Sequence, residues 1–321
     1  MRTTSDWPIV VGIDGSPEAS HALRYAVREA EREGCYLWLV NAIHEIVPLA
    51  PMWPLLTSDT LVDVGHELLA EAQTVVEELS GGRVSVRVQA ALGPAVDVLA
   101  AAGEHARLVV LGHRSPALME RIFTGSTTFG VAARASCPVL SVPRDFDADR
   151  EHGIVVAAVD GTEISPHVLD RAFAVAAERS ARLEIVHCWR LDPFYSYLVD
   201  EWSVQDEWRG HTSEVIDRLV EEASSAHPSV SFETWLEYAD VTDTLVRHSK
   251  DADVLILGRH GHGTRPSALV AAVLGSVTRA VLHHAHCPVE VVPAPRPAAA
   301  RDEAPLPSPA RVPEPADVVD T

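Results

Sequence analysis

The sequence predicts an α/β fold built twice: two doubly wound domains in tandem, each around a five-stranded parallel sheet. Three observations predict it. Short apolar runs alternate with longer amphipathic stretches, the pattern of a parallel sheet covered by helices on both faces. The run Val10-Val11-Gly12-Ile13-Asp14-Gly15-Ser16 recurs as Val156-Ala157-Ala158-Val159-Asp160-Gly161-Thr162, 146 residues later. The same offset relates His21 to His167, Leu37 to Leu183, Asp97 to Asp243 and Leu111-Gly112 to Leu257-Gly258. Beyond Gly258 the offset is 150, taking Gly125-Ser126 to Gly275-Ser276 and Cys137-Pro138 to Cys287-Pro288. Self-similarity at a domain-length period means two copies of one fold.

In copy one, residues 8–13 form an unbroken apolar run, as a strand buried on both faces requires. Ser16 before Pro17 reads as a helix cap followed by a first-turn proline. Ala22, Leu23, Ala26, Val27 and Ala30 then form one stripe of a helix over 18–33. A second strand is expected at 35–43, a Pro-rich loop at 47–54 and an amphipathic helix at 58–79. Alternation at 83–90 predicts a third strand, followed by a helix at 95–103 and a fourth strand at 108–111. A loop leads to Gly125, a helix ends near Ser136, and residues 138–142 form the last strand. The expected divisions are 1–143 for the first domain, 144–152 for a charged linker and 153–293 for the second domain. Residues 294–321, rich in Pro, Ala and charge, are expected to be a disordered tail.

Bulk properties narrow the function. A length of 321 residues suffices for two domains, each with its own core. A net charge of -20, from 26 basic and 46 acidic residues, argues against nucleic acid and against anionic membrane surfaces. No apolar stretch approaches the roughly 18–20 residues a membrane helix needs. The N-terminus lacks the apolar core of a signal peptide, and the four cysteines are scattered; both fit the cytoplasm.

Doubly wound sheets bind ligands beyond the carboxyl ends of their strands. In each copy two features fall there. One is the Asp-Gly-Ser/Thr that ends the first strand. The other is a loop opening at Gly112 or Gly258 and closing at Gly125-Ser126 or Gly275-Ser276. Each closing Gly-Ser opens a helix, so unpaired N–H groups and the positive helix end face the crevice, an anion site. The loops are locally basic, with His113, Arg114 and Arg121 in copy one and Arg259, His260, His262 and Arg265 in copy two. One copy alone would read equally well as a cap-and-turn element; its repetition favours a site.

These residues resemble the universal stress protein family over about 7–293. Nucleotide-binding members of that family carry Gly, two residues, Gly, nine residues, then Gly followed by Ser or Thr. Copy one keeps the spacing, with Ser115 in place of the second glycine; copy two keeps Gly258 and Gly261 but has thirteen residues before Gly275. The stretch from Leu274 to His284, ending in Cys287-Pro288-Val289, is similar to the family's last helix and strand. The resemblance implies a Rossmann-like, adenine-nucleotide-binding fold and ATP as ligand, with or without Mg. It implies that Ile13-Asp14 and Val159-Asp160 line the nucleoside end, with Ala42 and Cys188 bordering the adenine. Gly112, Ser115, Gly125, Ser126, Thr127 and Thr128 would hold ribose and phosphates in copy one. Gly258, Gly261, Gly275, Ser276, Val277 and Thr278 would do so in copy two. It further implies pairing of the copies through Val139–Val142 and Val289–Val292 as an intramolecular pseudo-dimer. A homodimer of the whole chain stays open, and a regulatory protein is the expected partner.

Enzyme classes are disfavoured. The sequence has no Gly-x-x-x-x-Gly-Lys-Ser/Thr phosphate loop, and no Gly-x-Gly-x-x-Gly follows the first strand. The expectation is a stress-response sensor or regulator with no catalytic residue; a nucleotide-free interaction module and a slow ATP hydrolase are the alternatives. His283-His284-Ala285-His286-Cys287 looks like a metal cluster, but consecutive helical residues do not share a face, so a helix-end role is expected and no metal. The aromatics Phe194, Tyr195, Tyr197 and Trp202 read as a lid, a partner surface or self-packing.

Overall fold

Each apolar run read in copy one becomes a strand in the computed structural model, which describes residues 7–43, 58–113, 126–147, 150–189, 201–261 and 274–294. Half one has strands β1 (Ile9–Gly12), β2 (Leu37–Ile43), β3 (Val86–Leu92), β4 (Leu108–His113) and β5 (Val139–Pro143). Its helices are α1 (Pro17–Glu33), α2 (Ser58–Ser80), α3 (Ala95–Ala102) and α4 (Ser126–Arg134). Half two repeats the order with β6 (Ile154–Ala158), α5 (Ser165–Arg179), β7 (Arg182–Trp189) and α6 (Glu201–Ser225). It continues through β8 (Phe232–Tyr238), α7 (Val241–His248), β9 (Val254–Gly258), α8 (Ser276–His284) and β10 (Val289–Val292). One boundary differs: β3 begins at Val86, not at 83. Gly81 and Gly82 turn with positive φ, and the Arg83 N–H still bonds back to the Ser80 carbonyl, so the strand starts later.

Among the described residues the ten strands form one sheet, ordered β3-β2-β1-β4-β5-β10-β9-β6-β7-β8. Neighbours within each half run parallel. β5 and β10 pair antiparallel, with Leu140 opposite Glu290 and Val139 opposite Val291. The last strand of each half therefore covers the open edge of the other. Chain direction across the sheet reverses at β1/β4 and at β6/β9, which opens a crevice at the carboxyl ends of those strands.

The strand alternation assigns the two faces. Ile9, Val11 and Ile13 pack with the α1 stripe Ala22, Leu23, Ala26 and Ala30, while Val10 packs on the other face with Leu99 and Val131. Ser16 caps α1, its hydroxyl accepting from Ala19 N at 3.2 Å, and Gly34 ends the helix in the left-handed region at φ 61°.

Ion pairs join the halves where α1 and α5 meet. Arg179 reaches Glu29 at 2.9 Å, and Arg171 binds Glu290 at 2.5 Å while facing Glu33 at 4.0 Å. Glu33 also pairs with Arg107. No described helix is long and apolar enough to cross a membrane.

Candidate functional site

The crevice of half two begins at the turn after β6. Gly161 takes a positive φ of 77°, and the Asp160 carboxylate is held in place by its own turn. Its Oδ1 accepts from Thr162 N at 3.0 Å, Thr162 Oγ1 at 2.6 Å and Ser165 Oγ at 3.1 Å. Gly261 lies against the other carboxylate oxygen, where a Cβ would stand 2.5 Å from Asp160 Oδ2. The floor is set by His187, whose Nδ1 sits 2.8 Å from the Val159 carbonyl; with that oxygen accepting, Nδ1 carries the proton. On the far side Gly275 opens α8. Its N–H donates to the Arg259 carbonyl at 3.0 Å, and its own carbonyl accepts from Arg279 N at 3.0 Å. The N–H groups of Ser276, Val277 and Thr278 are then the first turn of a helix, with no carbonyl inside the helix to meet them.

These groups surround one cavity of about 630 Å³. All nine residues expected for half two line it: Val159, Asp160, Cys188, Gly258, Gly261, Gly275, Ser276, Val277 and Thr278. Ile164, Val186, Ile216, Val241 and Leu245 supply an apolar wall, and Trp189, packed on Tyr238 at 4.8 Å, stands at its edge. A mainly apolar pocket with a few convergent polar groups and a helix N-terminus is chemically suited to a flat ring bearing an anionic tail. The Thr278 hydroxyl is engaged, donating to the Gly258 carbonyl at 2.9 Å, so this residue offers its N–H to a ligand while its side chain ties α8 to β9.

Half one shares the plan. Gly15 turns at φ 75°, Asp14 Oδ1 accepts from Ser16 N at 2.9 Å, and Thr128 Oγ1 donates to the Gly112 carbonyl at 3.3 Å. Asn41 takes the place of His187, its Nδ2 donating to the Ile13 carbonyl at 2.7 Å. Ala42 ends the half-buried side of β2, and Thr127 lies in the first turn of α4 beside Ser126. Ser115 and Gly125 lie outside the described residues. The space over the turn differs, however. A Cβ on Gly15 would stand 2.9 Å from the Leu68 side chain of α2, whereas one on Gly161 would meet nothing nearer than Val215 at 3.8 Å.

The basic-loop reading needs correction at both loop heads. Neither the His113 nor the Arg259 side chain serves the crevice. His113 is buried, edge-on to Phe129 at 5.8 Å and His283 at 5.6 Å, and burial beside His283 pushes its pKa down to about 4. Arg259 turns across the seam to the Ala135 carbonyl of half one. His260 does line the cavity; Arg114, Arg121, His262 and Arg265 lie outside the described residues. No group of three or more His, Cys, Asp or Glu among the described residues could hold a metal ion. Of the aromatics expected near the site, Phe194, Tyr195 and Tyr197 lie outside the described residues, as does the Trp202 side chain.

A model of the Universal stress protein family matches the chain twice, over residues 8–143 and 152–293. The chain belongs to this family. A universal stress protein of Mycobacterium tuberculosis (strain CDC 1551 / Oshkosh) is 30% identical over 300 residues, covering 88% of this chain and 95% of that one. Another, from Mycolicibacterium smegmatis, is 27% identical over 298 residues, covering 91% and 99%. Among solved structures, a universal stress protein from Archaeoglobus fulgidus matches with a TM-score of 0.63, covering 90% of this chain and 97% of that one at 17% identity. That likeness concerns the fold.

In this universal stress protein, the sequence reading missed the groups that hold the Asp turns in place. Ser165 bonds both the backbone N–H and the carboxylate of Asp160, and Asn41 and His187 pin the carbonyls at the ends of the first strands. A signal existed: Asn41 and His187 stand at the 146-residue offset, one residue before Ala42 and Cys188.

Proposed function

We propose that this chain is an ATP-binding regulator of the stress response, working in the cytoplasm through nucleotide-linked conformation and contacts with a protein partner, and that half two is its working site. The observation that carries the reading is the cavity of half two, where Asp160, the Gly258–Gly261 turn and the α8 N-terminus converge. The residues fit the group. A phosphate chain would lie on the N–H groups of Ser276, Val277 and Thr278, and Gly258 and Gly261 allow close approach of backbone. Asp160, locked by three donors, is preorganised to accept from a sugar hydroxyl. Val159 and Cys188 border the base. ATP, with or without Mg²⁺, supplies the anionic charge that the helix end attracts; the reading assigns no residue to its turnover.

The nucleotide-free alternative is supported for half one, where Leu68 rests on the Asp14-Gly15 turn and Ser115 replaces a signature glycine. Half one is then chiefly an interaction half, and the chain as a whole a sensor with one occupied cleft.

The test is mass analysis of nucleotide released from denatured protein, followed by calorimetry with ATP. One nucleotide per chain is expected. Gly261→Ala drives a methyl into Asp160 Oδ2 and is expected to weaken binding about tenfold or more, since 1.4 kcal/mol is a factor of ten. Asp14→Ala leaves binding unchanged. Binding lost with Asp14→Ala and kept with Gly261→Ala would transfer the site to half one; no binding at all would favour the nucleotide-free module.

A further inference from the structure

Arg259 belongs to two places at once. Its backbone is part of the half-two crevice: N–H to the Val292 carbonyl at 2.9 Å, carbonyl accepting from Gly275 N at 3.0 Å and from Thr278 Oγ1 at 3.4 Å. Its side chain leaves the crevice and donates through Nη2 to the Ala135 carbonyl, just past the C-terminal end of α4 in half one. The two helices concerned are repeat equivalents, since α4 and α8 are those whose N-termini open the two crevices. We infer that Arg259 is a positioning residue through which the state of the half-two phosphate turn is transmitted to helix α4 of half one. The inference rests on the nucleotide reading for what fills the turn.

The chemistry of the contact is unusual enough to need a reason. Arg259 is half-buried, no carboxylate among the described residues pairs with it, and its buried Nε has no hydrogen-bond partner there. Its charge is met by one carbonyl and by the negative end of the α4 dipole. A half-buried guanidinium so sparsely satisfied contributes little to stability, and an apolar side chain of like length is expected to be neutral or stabilising in its place. What the arginine supplies is a directional link. A ligand drawing on the N–H groups at the start of α8 acts on Gly275 and Thr278; the Gly275 N–H donates to the Arg259 carbonyl, and the Thr278 hydroxyl, donating to Gly258, lies 3.4 Å from it. Any shift of that peptide moves the other end of the residue against α4.

The repeat offers a control inside the molecule. His113 stands where Arg259 does, 146 residues earlier, and it also points at the other half's helix. Its contact with His283 is ring against ring, and its Nε2 is buried without a hydrogen-bond partner. At this pair of positions the seam therefore carries a directional hydrogen bond from half two to half one and ring packing from half one to half two.

The experiment is amide hydrogen exchange on the full chain with and without saturating ATP, for wild type, Arg259→Met and Arg259→Lys. In all three, ATP slows exchange over 274–281. In wild type and in the lysine variant, exchange over 131–136 at the far end of α4 also slows, about fivefold, the low end of ordinary intersite coupling. In Arg259→Met that second response disappears while the melting temperature stays level or rises. Direct occupancy of the half-one crevice would act at the first turn of α4 and survive the substitution. A 131–136 response persisting in Arg259→Met, or absent from wild type while 274–281 responds, overturns the inference. Failure of Arg259→Met to fold would show a structural pin and overturn it as well, with Arg259→Gln read the same way as a second check. No response at 274–281 in wild type would instead remove the nucleotide reading itself.

Discussion

The two halves carry the same glycine at the end of the same strand and use it differently. Gly112 faces backbone: a Cβ there would stand 2.3 Å from the Glu18 carbonyl oxygen and 2.4 Å from its carbon. Gly258 faces mainly a side chain: its Cβ would meet Ile164 at 3.0 Å, with the His260 carbonyl farther off at 3.3 Å. The reason lies one element earlier. Helix α1 starts at Pro17, while α5 starts at Ser165, two residues later in the repeat register, so α1 brings an extra stretch of backbone down onto β4. Glu18 is buried there as a result, with Arg144 at 3.7 Å. Among the described residues, half one sets helix backbone against its fourth strand where half two sets a side chain, which teaches that one fold, duplicated, can diverge by moving a helix start.

The sharpest way to break this comparison is to add one methyl to each glycine. Gly112→Ala forces main chain to move and is expected to lose about 3 kcal/mol or more, at the upper end of overpacking effects. Gly258→Ala presses on the Ile164 side chain and, less closely, on the His260 carbonyl, and is expected to lose about 1–2 kcal/mol. Denaturant unfolding of the two variants measures both. Equal losses would mean that the halves are not packed differently at this point.

Much of this was legible in the sequence, and the limits are physical. The 146-residue offset exposed the duplication, and apolar runs exposed the inner strands, because a strand buried on both faces admits few polar residues. The glycines and the helix-opening serine that line the half-two cavity left a compositional trace, while Cys188, Val277 and Thr278 came only through the family resemblance. The directions of His113 and Arg259 were not. A basic residue at a loop head reads as solvent-facing or ligand-facing, and only the antiparallel meeting of β5 and β10 brings the other half's helix close enough to receive it. The packing of Leu68 beside Gly15 was equally hidden, since Leu68 sits on an ordinary amphipathic helix and its target is distant in sequence.

The seam gives a second test, through pH. Burial pushes the Glu33 pKa from its ordinary 4.5 up to about 7, against the pull of Arg171 and Arg107. Folding therefore favours its protonated form, and the stability it lends is full below about pH 4.5 and lost as pH rises to about 7. His113 works the other way. Its pKa falls from 6.5 to about 4, so its contribution is present above pH 6.5 and lost as pH falls toward 4. The two groups offset each other between about pH 4.5 and 6.5. Glu33→Gln is expected to leave a chain that weakens on acidification, and His113→Phe one that strengthens, each by about 2 kcal/mol across the window. Unfolding curves at pH 5 and pH 8 decide it. Parallel pH profiles for both variants and wild type would mean that neither group titrates differently in the fold.

The smallest difference between the halves is at the end of their first helices, and it is also the cleanest. Gly34 closes α1 at φ 61° with open space around it, and Ser180, its repeat equivalent, closes α5 at φ 53°. Both helices end through the same left-handed turn, in which the N–H of the closing residue returns to the helix's last carbonyls, Ala30 in one half and Ala176 in the other. For serine this backbone costs about 1–2 kcal/mol, and for glycine essentially nothing, although glycine loses more chain entropy on folding. The two terms leave a net preference for glycine of about 0.5–1 kcal/mol. Ser180→Gly is therefore expected to stabilise the chain by that amount and Gly34→Ser to destabilise it equally, so the double variant returns to the wild-type midpoint. The sites lie at the ends of different helices in different halves, so their effects are expected to add. A double variant far from the wild-type midpoint would mean that the two helix ends, and hence the two halves, do not unfold as independent copies of one design.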